Sequence, residues 1–180
     1  SIMSPLLDLG LIRASGPEAA GFLHNLLTND IESLEALPDT VIRAGLCTPK
    51  GRMLATCLVW REGDDFLLAL AADLHAAILK KLSMYILRSK VKLTDASADF
   101  VLLGLSGEKA ESTMRNMGVT QSPPMKTCLL DNGNGRLLCL AEQRYLLALP
   151  ATRAPAVWQT LSSQLRPAGL NAWRWREIMA

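Results

Sequence analysis

A short apolar pentapeptide occurs twice in the chain, and this repeat constrains the fold more than any other feature. Residues 66–70 read FLLAL and residues 145–149 read YLLAL. Each run has the length of a buried strand and is followed by a segment typical of a helix. Residues 106–110 (SGEKA) also echo residues 15–19 (SGPEA), and both runs are typical of a helix start. The chain is therefore predicted to contain two copies of one α/β unit.

The order of the predicted elements defines the expected fold class. A short strand at residues 9–12 precedes a helix that begins near residue 18, and three apolar strands follow at 41–47, 53–60 and 66–71. With the repeat, this order predicts an α+β protein of two related ferredoxin-like β-α-β-β-α-β units. We place the first unit at residues 1–95 and the second at residues 96–180. Two such units can pack side by side or intertwine.

The helix expected after residue 71 has the clearest amphipathic pattern. Asp73 is predicted to cap it. Four apolar residues then recur at a spacing that predicts one stripe facing the core: Leu74, Ile78, Leu82 and Ile86. Such a stripe needs no ligand to explain it.

Residues 131–135 (DNGNG) are predicted to form a hairpin turn in the second copy. The Asn-Gly pair supplies the positive φ angles that hairpin turns require. The segment lacks the Lys-Ser/Thr or GxGxxG pattern of a phosphate-binding loop, so a nucleotide site is not predicted there.

Composition excludes several classes of protein. With 49% hydrophobic residues over 180 positions, the chain can bury one large core or two small ones. Basic and acidic residues are interspersed and the formal net charge is +2, so no basic stripe for nucleic acid is predicted. No apolar run approaches the roughly 20 residues of a membrane span, and the first ten residues do not resemble a signal peptide. We expect a cytoplasmic protein without direct nucleic-acid or membrane contacts.

The cysteines and histidines form no metal-binding pattern. No CxxC pair is present, and neither histidine has a Cys, Asp or Glu three or four residues further along. The simplest interpretation is that the cysteines are reduced, buried thiols. The cysteines are Cys47, Cys57, Cys128 and Cys139, and the histidines are His24 and His75.

Two polar corners lie at the ends of buried elements, where residues that contact ligands are usually found. The first, the 28–30 corner, consists of Thr28, Asn29 and Asp30, and the second, the 50–52 turn, consists of Lys50, Gly51 and Arg52. Each also has a purely structural interpretation. The first could be a helix end with local Asx-type hydrogen bonds, and the second could be a solvated hairpin turn.

Four segments carry a resemblance to a known family. They read LLTNDI at 26–31, GLCTPKGRML at 45–54, GDDFLLALA at 63–71 and ILKKLSMYILRSKVKL at 78–93. On these segments the chain resembles the YgfZ family of folate-binding proteins, which is itself similar to the glycine-cleavage T-protein, an aminomethyltransferase. A KGCYxGQE-like segment, the most specific motif of the family, does not occur. We therefore expect that the C-terminal part of the family's fold is missing from this chain.

The resemblance implies a fold, a ligand and a biological role. The related families have such α/β units, which exchange strands, with the folate lying in the centre. Members of the YgfZ family are implied to bind tetrahydrofolate and to support the assembly or repair of iron-sulfur clusters, including those of enzymes that modify tRNA. The expected partners are a folate and either iron-sulfur assembly proteins or client enzymes.

A folate has two chemical ends, and the chain offers residues for each. The pterin ring needs amide or carboxylate hydrogen bonds, and the glutamate tail needs cations. The 28–30 corner and the 50–52 turn are therefore candidate folate contacts. Arg88 and Lys90 form a weaker basic pair, which equally suits a solvated helix end.

The resemblance also bears on catalysis. In the T-protein an acidic pair follows a Gly-Gly turn, and one-carbon transfer needs such a carboxylate to handle proton and charge. The corresponding place here falls on Ala55 and Thr56, and the place of a pterin-binding glutamate falls on Met179, with Glu177 nearby. These departures argue against aminomethyl transfer. Two alternatives to an accessory folate-binding protein stay open: an aminomethyltransferase and a ligand-free interaction module of the same fold.

Overall fold

The computed structural model describes residues 1–48, 50–120 and 122–168. These residues form two compact units, the first of residues 8–97 and the second of residues 1–7 together with 98–168. The first seven residues thus lie with the later part of the chain, whereas the sequence interpretation placed them with residues 8–95. The chain enters the second unit, leaves it to form the first, and then returns.

The described residues form both strands and helices. The strands are β1 (Ile2–Pro5), β2 (Leu9–Ser15), β3 (Ile42–Cys47), β4 (Met53–Glu62), β5 (Asp65–Ala71), β6 (Lys92–Asp95), β7 (Phe100–Ser106), β8 (Lys126–Leu129), β9 (Arg136–Ala141), β10 (Arg144–Pro150) and β11 (Arg166–Pro167). The helices are α1 (Ala19–Leu26), α2 (Ser33–Ala36), α3 (Ala72–Met84), α4 (Glu108–Asn116) and α5 (Ala154–Ser162). Within these ranges, no helix combines the length and the apolar character needed to cross a membrane.

The first unit is an antiparallel sheet in the order β3-β4-β5-β2-β6. Alternate residues of its strands face one apolar core, which also contains residues of α1 and α3. Leu23 of α1 and Leu82 of α3, for example, are buried in the same core as Val59 of β4. Without β3 and the four-residue helix α2, the elements follow the β-α-β-β-α-β order, so β3 is an added edge strand.

The second unit repeats this arrangement in the order β11-β1-β7-β10-β9-β8. Its elements β7, α4, β9, β10, α5 and β11 again follow the β-α-β-β-α-β order, and β8 is the added edge strand. Strand β1 lies between β7 and β11, antiparallel to the first and parallel to the second. This insertion explains why residues 1–7 belong to the second unit.

The predicted fold class, two related ferredoxin-like α+β units, is confirmed. The FLLAL and YLLAL repeats lie in β5 and β10, each of which is central in its sheet and is followed by a helix. The four-strand β-α-β-β-α-β order has no place for one edge strand in each unit, β3 and β8, although a strand was predicted at residues 41–47. The Asn-Gly turn is also confirmed, since Asn132 and Gly133 have positive φ angles between the paired strands β8 and β9.

Helix α3 differs from its predicted pattern in two respects. The helix begins at Ala72 and ends at Met84, so Asp73 lies in its first turn rather than at its cap, and Ile86 lies beyond its end. Leu74 is 38% exposed, and the buried residues of the helix are His75, Ile78 and Leu82. Residues spaced four apart do not stay on one face of a helix that has 3.6 residues per turn, so the buried face includes His75 instead of Leu74.

The buried His75 joins α3 to the sheet. Its Nε2 lies 2.7 Å from the carbonyl oxygen of Leu11, which can only accept, so Nε2 carries the hydrogen and donates it. A Cβ added at Gly10 would lie 2.7 Å from Cδ2 of the ring, so only glycine leaves room for this packing. Nε2 also lies 3.4 Å from Oδ1 of Asp95. Packing and hydrogen bonding therefore account for His75.

Asp95 is expected to make the stability of the first unit depend on acid pH. A hydrogen bond from the amide of Ser97 to Oδ1, at 2.9 Å, is the main cause that lowers the pKa of Asp95 from 3.8, and the Ser97 side chain and His75 add to it. A carboxyl group with a lowered folded-state pKa stabilises the protein above its unfolded pKa, and this contribution disappears as pH falls through the lowered value.

The Asp95→Asn variant tests this dependence. Urea unfolding between about pH 6 and about pH 2 should show a smaller acid-induced loss of stability for the variant than for the wild type, with the difference arising below the ordinary carboxyl pKa of 3.8. Parallel pH profiles for the two proteins would contradict the expectation.

Candidate folate site in the first unit

The 28–30 corner is anchored to strand β3. The amide of Thr28 donates to the carbonyl oxygen of Gly45 at 2.9 Å, and the Thr28 hydroxyl accepts from the amide of Gly45 at 2.8 Å. A Cβ added at Gly45 would lie 3.3 Å from Oγ1 of Thr28 and 3.0 Å from Cε of Met53. The corner therefore passes close over β3. Because a hydroxyl both donates and accepts, Thr28 can still donate its own hydrogen to a further group.

Asn29 and Asp30 make mainly local hydrogen bonds. Asn29 donates from Nδ2 to the carbonyl oxygen of Arg43 at 3.0 Å and accepts at Oδ1 from the amide of Asp30 at 2.8 Å. Oδ1 of Asp30 accepts from the amide of Ser33 at 3.1 Å and lies 3.3 Å from Nδ1 of His24. The Asp30 side chain is nevertheless 63% exposed. The Asx-type bonding that the sequence suggested is present, and the carboxylate remains accessible.

The 50–52 turn closes the hairpin of β3 and β4. Thr48 donates from its amide to the carbonyl oxygen of Arg52 at 2.8 Å and accepts from the amide of Arg52 at its hydroxyl, at 3.1 Å. Gly51 has a φ of +82°, in the left-handed region that glycine adopts without strain. The side chains of Lys50 and Arg52 are exposed. The turn therefore presents two cations on a hydrogen-bonded backbone.

The corner and the turn lie along the same edge strand. Thr28 is bonded to Gly45, which precedes Thr48 by three residues, or about 10 Å of extended chain. Asn29 is bonded to Arg43, so the corner leads away from the turn along β3. Met53, at the start of β4, is exposed and approaches Gly45. The structure thus brings the 28–30 corner and the 50–52 turn into one neighbourhood.

Arg88 and Lys90 lie at the opposite end of α1 from the 28–30 corner. The amide of Lys90 donates to the carboxylate of Glu18, and the amide of Glu18 donates to the carbonyl oxygen of Lys90 at 3.3 Å. Glu18 directly precedes α1, whose eight residues span about 12 Å, whereas the corner follows its end. The structure therefore does not bring this basic pair to the other candidates.

Strand β4 places Ala55 and Thr56 on opposite faces of the sheet. Ala55 pairs with Leu46, is 8% exposed and belongs to the apolar core of the first unit. Thr56 pairs with Gly45, the residue that anchors Thr28, and is half-buried. A carboxylate at position 55 would face the core, whereas one at position 56 would lie on the face of Gly45. Glu177 and Met179, the other positions compared with the T-protein, lie outside the described residues.

The four cysteines are free thiols. Burial raises the pKa of the Cys57 thiol to about 12 and is also the main cause that raises the pKa of Cys128 and of Cys139. Thiols with raised pKa values are poor nucleophiles and poor metal ligands. Among residues 1–48, 50–120 and 122–168, no group of His, Cys, Asp and Glu is placed to hold a metal ion.

A groove beside the start of α1 was not predicted from the sequence. It has a volume of about 730 Å³, and its walls include Glu18, Glu32, Glu35 and Tyr85. A Cβ added at Gly21 would lie 3.5 Å from Oε1 of Glu32, an ordinary contact distance, so this carboxylate lies close to α1. The lining residues come from separate segments and show no common spacing, so the sequence contained no local signal for the groove.

Two related ferredoxin-like units define the class of this protein, an α+β protein of the T-protein fold. The profile of the GCVT N-terminal domain family matches residues 6–126. This match covers more than half of the chain, and the chain belongs to that family. The resemblance inferred from the four sequence segments is confirmed.

The chain is also similar to full-length relatives of different names. It is 28% identical to an aminomethyltransferase of Desulforamulus reducens over 91% of the chain and 48% of the relative. It is 30% identical to the tRNA-modifying protein YgfZ of Edwardsiella ictaluri over 90% of the chain and 49% of the relative. A mitochondrial iron-sulfur cluster assembly factor IBA57 homolog of Mycosarcoma maydis is 33% identical over 51% of the chain and 25% of the relative.

Solved structures show the same fold. The glycine cleavage system aminomethyltransferase T from Bartonella henselae matches with a TM-score of 0.80 and 20% identity, over 95% of this chain and 48% of that one. The chain thus spans about half the length of the first two relatives and of this structure. At this identity the match shows the fold alone.

Proposed function

We propose that this chain forms the tetrahydrofolate-binding part of an accessory protein that supports iron-sulfur cluster assembly or repair and tRNA modification. Two relatives support the proposal by name, one a tRNA-modifying protein and the other an iron-sulfur cluster assembly factor. The proposal concerns the longer protein of which such a domain is a part, because the relatives are longer than the chain.

The lack of a carboxylate at positions 55 and 56 is the observation that carries the proposal. The fold is that of an aminomethyltransferase, yet the position compared with its acidic pair is occupied by a buried alanine and a half-buried threonine. Neither side chain can accept or deliver the proton that one-carbon transfer requires. A folate site without this carboxylate is suited to binding a folate and lacks a group for turnover.

The 28–30 corner and the 50–52 turn fit the two ends of a folate. In our proposal the exposed carboxylate of Asp30 accepts hydrogen bonds from the pterin, and the Thr28 hydroxyl donates to it. Asn29 acts indirectly, because its bonds to Arg43 and Asp30 hold the corner in shape. The separation of about 10 Å along β3 lets ring and tail bind in different places.

The 50–52 turn is proposed to bind the glutamate tail. Lys50 and Arg52 supply the cations, and Gly51 supplies the backbone turn that presents them. The proposal does not extend to Arg88 and Lys90, the weaker pair, because they lie beyond the far end of α1. Contact of Arg88 and Lys90 with folate stays a prediction, and the fluorescence titration described below can test it with variants of these two residues.

Removing the cations of the 50–52 turn is expected to weaken binding of a polyglutamylated folate more than binding of a monoglutamate. The full-length double variant Lys50→Ala/Arg52→Ala should lose roughly tenfold in affinity for the long tail, and its binding should depend less on salt. Intrinsic tryptophan fluorescence during titration with 5-formyltetrahydrofolate mono- and pentaglutamate measures both effects. Lys80→Ala, an exposed lysine of α3, is the matched control. Equal losses for both ligands would contradict a tail-binding role.

An aminomethyltransferase is the second candidate function. It is favoured by the 28% identity to an aminomethyltransferase over 91% of the chain. One-carbon transfer from an aminomethyl or methylamine donor to tetrahydrofolate, assayed with the full-length protein, separates this candidate from the first. A ligand-free interaction module is the third candidate, and the absence of any fluorescence response to reduced folates would favour it over both others.

A further inference from the structure

A long apolar side chain is exposed between the 28–30 corner and the 50–52 turn. Met53, the first residue of β4, is 57% exposed, although methionine is a residue type that usually lies in the core. Its Cε lies 3.0 Å from the position that a Cβ at Gly45 would occupy, and Oγ1 of Thr28 lies 3.3 Å from the same position. Met53 also directly follows the 50–52 turn in the chain. It is therefore a neighbour of both candidate folate contacts.

A β-bulge turns Met53 away from the core. Ala55 faces the core of the first unit, and the alternation of a regular strand would place Met53, two residues earlier, on the same side. Leu46 pairs with Ala55, but the register then shifts, and Cys47 pairs with Met53. Leu54, the extra residue, packs against the core instead. Bulges are frequent beside active sites, where they redirect a side chain, and this one exposes an apolar group that a regular strand would bury.

The order of these side chains along the edge of the sheet matches the order of the parts of a folate. In the proposed function the pterin binds at the 28–30 corner and the glutamate tail binds at the 50–52 turn. The p-aminobenzoyl group, a flat aromatic ring, joins these two ends of the molecule. The thioether and methyl groups of methionine make favourable contacts with aromatic rings. Gly45 leaves room for such a contact, because a side chain there would crowd the methyl group of Met53.

We propose that Met53 is the platform on which the p-aminobenzoyl ring of a folate packs. The inference rests on the proposed function, because it requires that a folate binds along β3. It adds the part of the site that distinguishes folates from simple pterins. A pterin without the p-aminobenzoyl ring contacts only the 28–30 corner and gains nothing from Met53, whereas a folate buries the exposed methionine beneath its ring.

Methyl NMR of the full-length protein, with carbon-13 in the methionine ε-methyl groups, tests the contact. Titration with 5-formyltetrahydrofolate should move the Met53 signal upfield, because a methyl group over the face of an aromatic ring is shielded. The compound 6-methyltetrahydropterin lacks the p-aminobenzoyl ring and should leave this signal in place. The signal is assigned by its loss in Met53→Leu. Met84, which is 69% exposed at the end of α3, is the matched control and should respond to neither ligand.

Affinities of variants separate this contact from the folate site as a whole. Met53→Ser should weaken binding of 5-formyltetrahydrofolate about tenfold, Met53→Leu should stay within about threefold of the wild type, and Met84→Ser should have no effect. None of these variants should change the affinity for 6-methyltetrahydropterin. An unmoved Met53 signal at saturating folate, or full affinity of Met53→Ser, would overturn the platform and leave the folate site intact. Failure of the wild type to bind any reduced folate would instead refute the proposed function, and the platform with it.

Discussion

Replacing Ala55 with Asp is expected to destabilise the first unit by about 4 kcal/mol at neutral pH. Ala55 is 8% exposed and lies in the apolar core, opposite Leu46 on the neighbouring strand. Burial of a carboxyl group raises its pKa by about three units, and each unit corresponds to about 1.4 kcal/mol. Circular dichroism should show the melting temperature falling by roughly 20 °C.

The pH dependence of this effect separates charge burial from crowding. The introduced carboxyl group has a raised folded-state pKa, so the folded protein favours its neutral form. The destabilisation relative to wild type should therefore be largest above the raised pKa and should shrink as pH falls toward about 4. An equal loss of stability at neutral pH and at about pH 4 would indicate steric crowding alone.

Thr56→Asp is the matched control for the same strand. Thr56 is half-buried and faces away from the apolar core, so its replacement is expected to cost about 1 kcal/mol or less. If both variants were equally stable, Ala55 would not face the core. If the contrast is observed, only position 56 can carry an acid toward Gly45.

Replacing Gly16 with Ala is expected to destabilise the first unit by about 3 kcal/mol. Gly16 has a φ of +108°, and an added Cβ would overlap the carbonyl oxygen of Lys90. The obstacle is backbone, so no side-chain rotation can relieve it. The start of α1 and residues 88–90 should separate, and the Lys90 amide, which donates to Glu18, should lose protection from hydrogen exchange.

Gly63→Ala isolates the contribution of backbone conformation. Gly63 has a φ of +63°, and no atom lies within 4 Å of an added Cβ. This variant should therefore lose only the preference of glycine for the left-handed region, about 1 kcal/mol, with no change in exchange at Lys90. Equal effects of the two substitutions in urea unfolding would show that the contact between Gly16 and Lys90 is unimportant.

Sequence patterns predicted those elements whose conformation is set by residues close to them in the chain. The repeat at β5 and β10, the Asn132-Gly133 turn and the helix start before α1 all depend on neighbouring residues, and all three are present. The position of β1 could not be predicted in this way. The position of its four residues is set by pairing with β7 and β11, about 100 and 160 residues further along. Pairing between such distant segments produces no periodic pattern in the sequence.

The same distinction, between contacts of sequence neighbours and contacts of distant segments, applies to the candidate site and to His75. The bonding of Asn29 and Asp30 to their neighbours followed from their residue types, which favour such turns. The anchoring of Thr28 to Gly45 and the approach of His75 to Asp95 did not, because each joins segments that only the folded sheet brings together. Likewise, the orientation of Ala55 depends on the register of β4, which the bulge near Cys47 shifts.

The place of β1 has a consequence for biosynthesis. Residues 2–5 are synthesised before either of their partners, since the antiparallel partner β7 ends at Ser106 and the parallel partner begins at Arg166. Residues 8–97 contain every strand of their own sheet and so can complete it while the N-terminal segment still waits. Residues 8–97 are thus expected to fold before β1 pairs with its neighbours, although β1 is synthesised earlier.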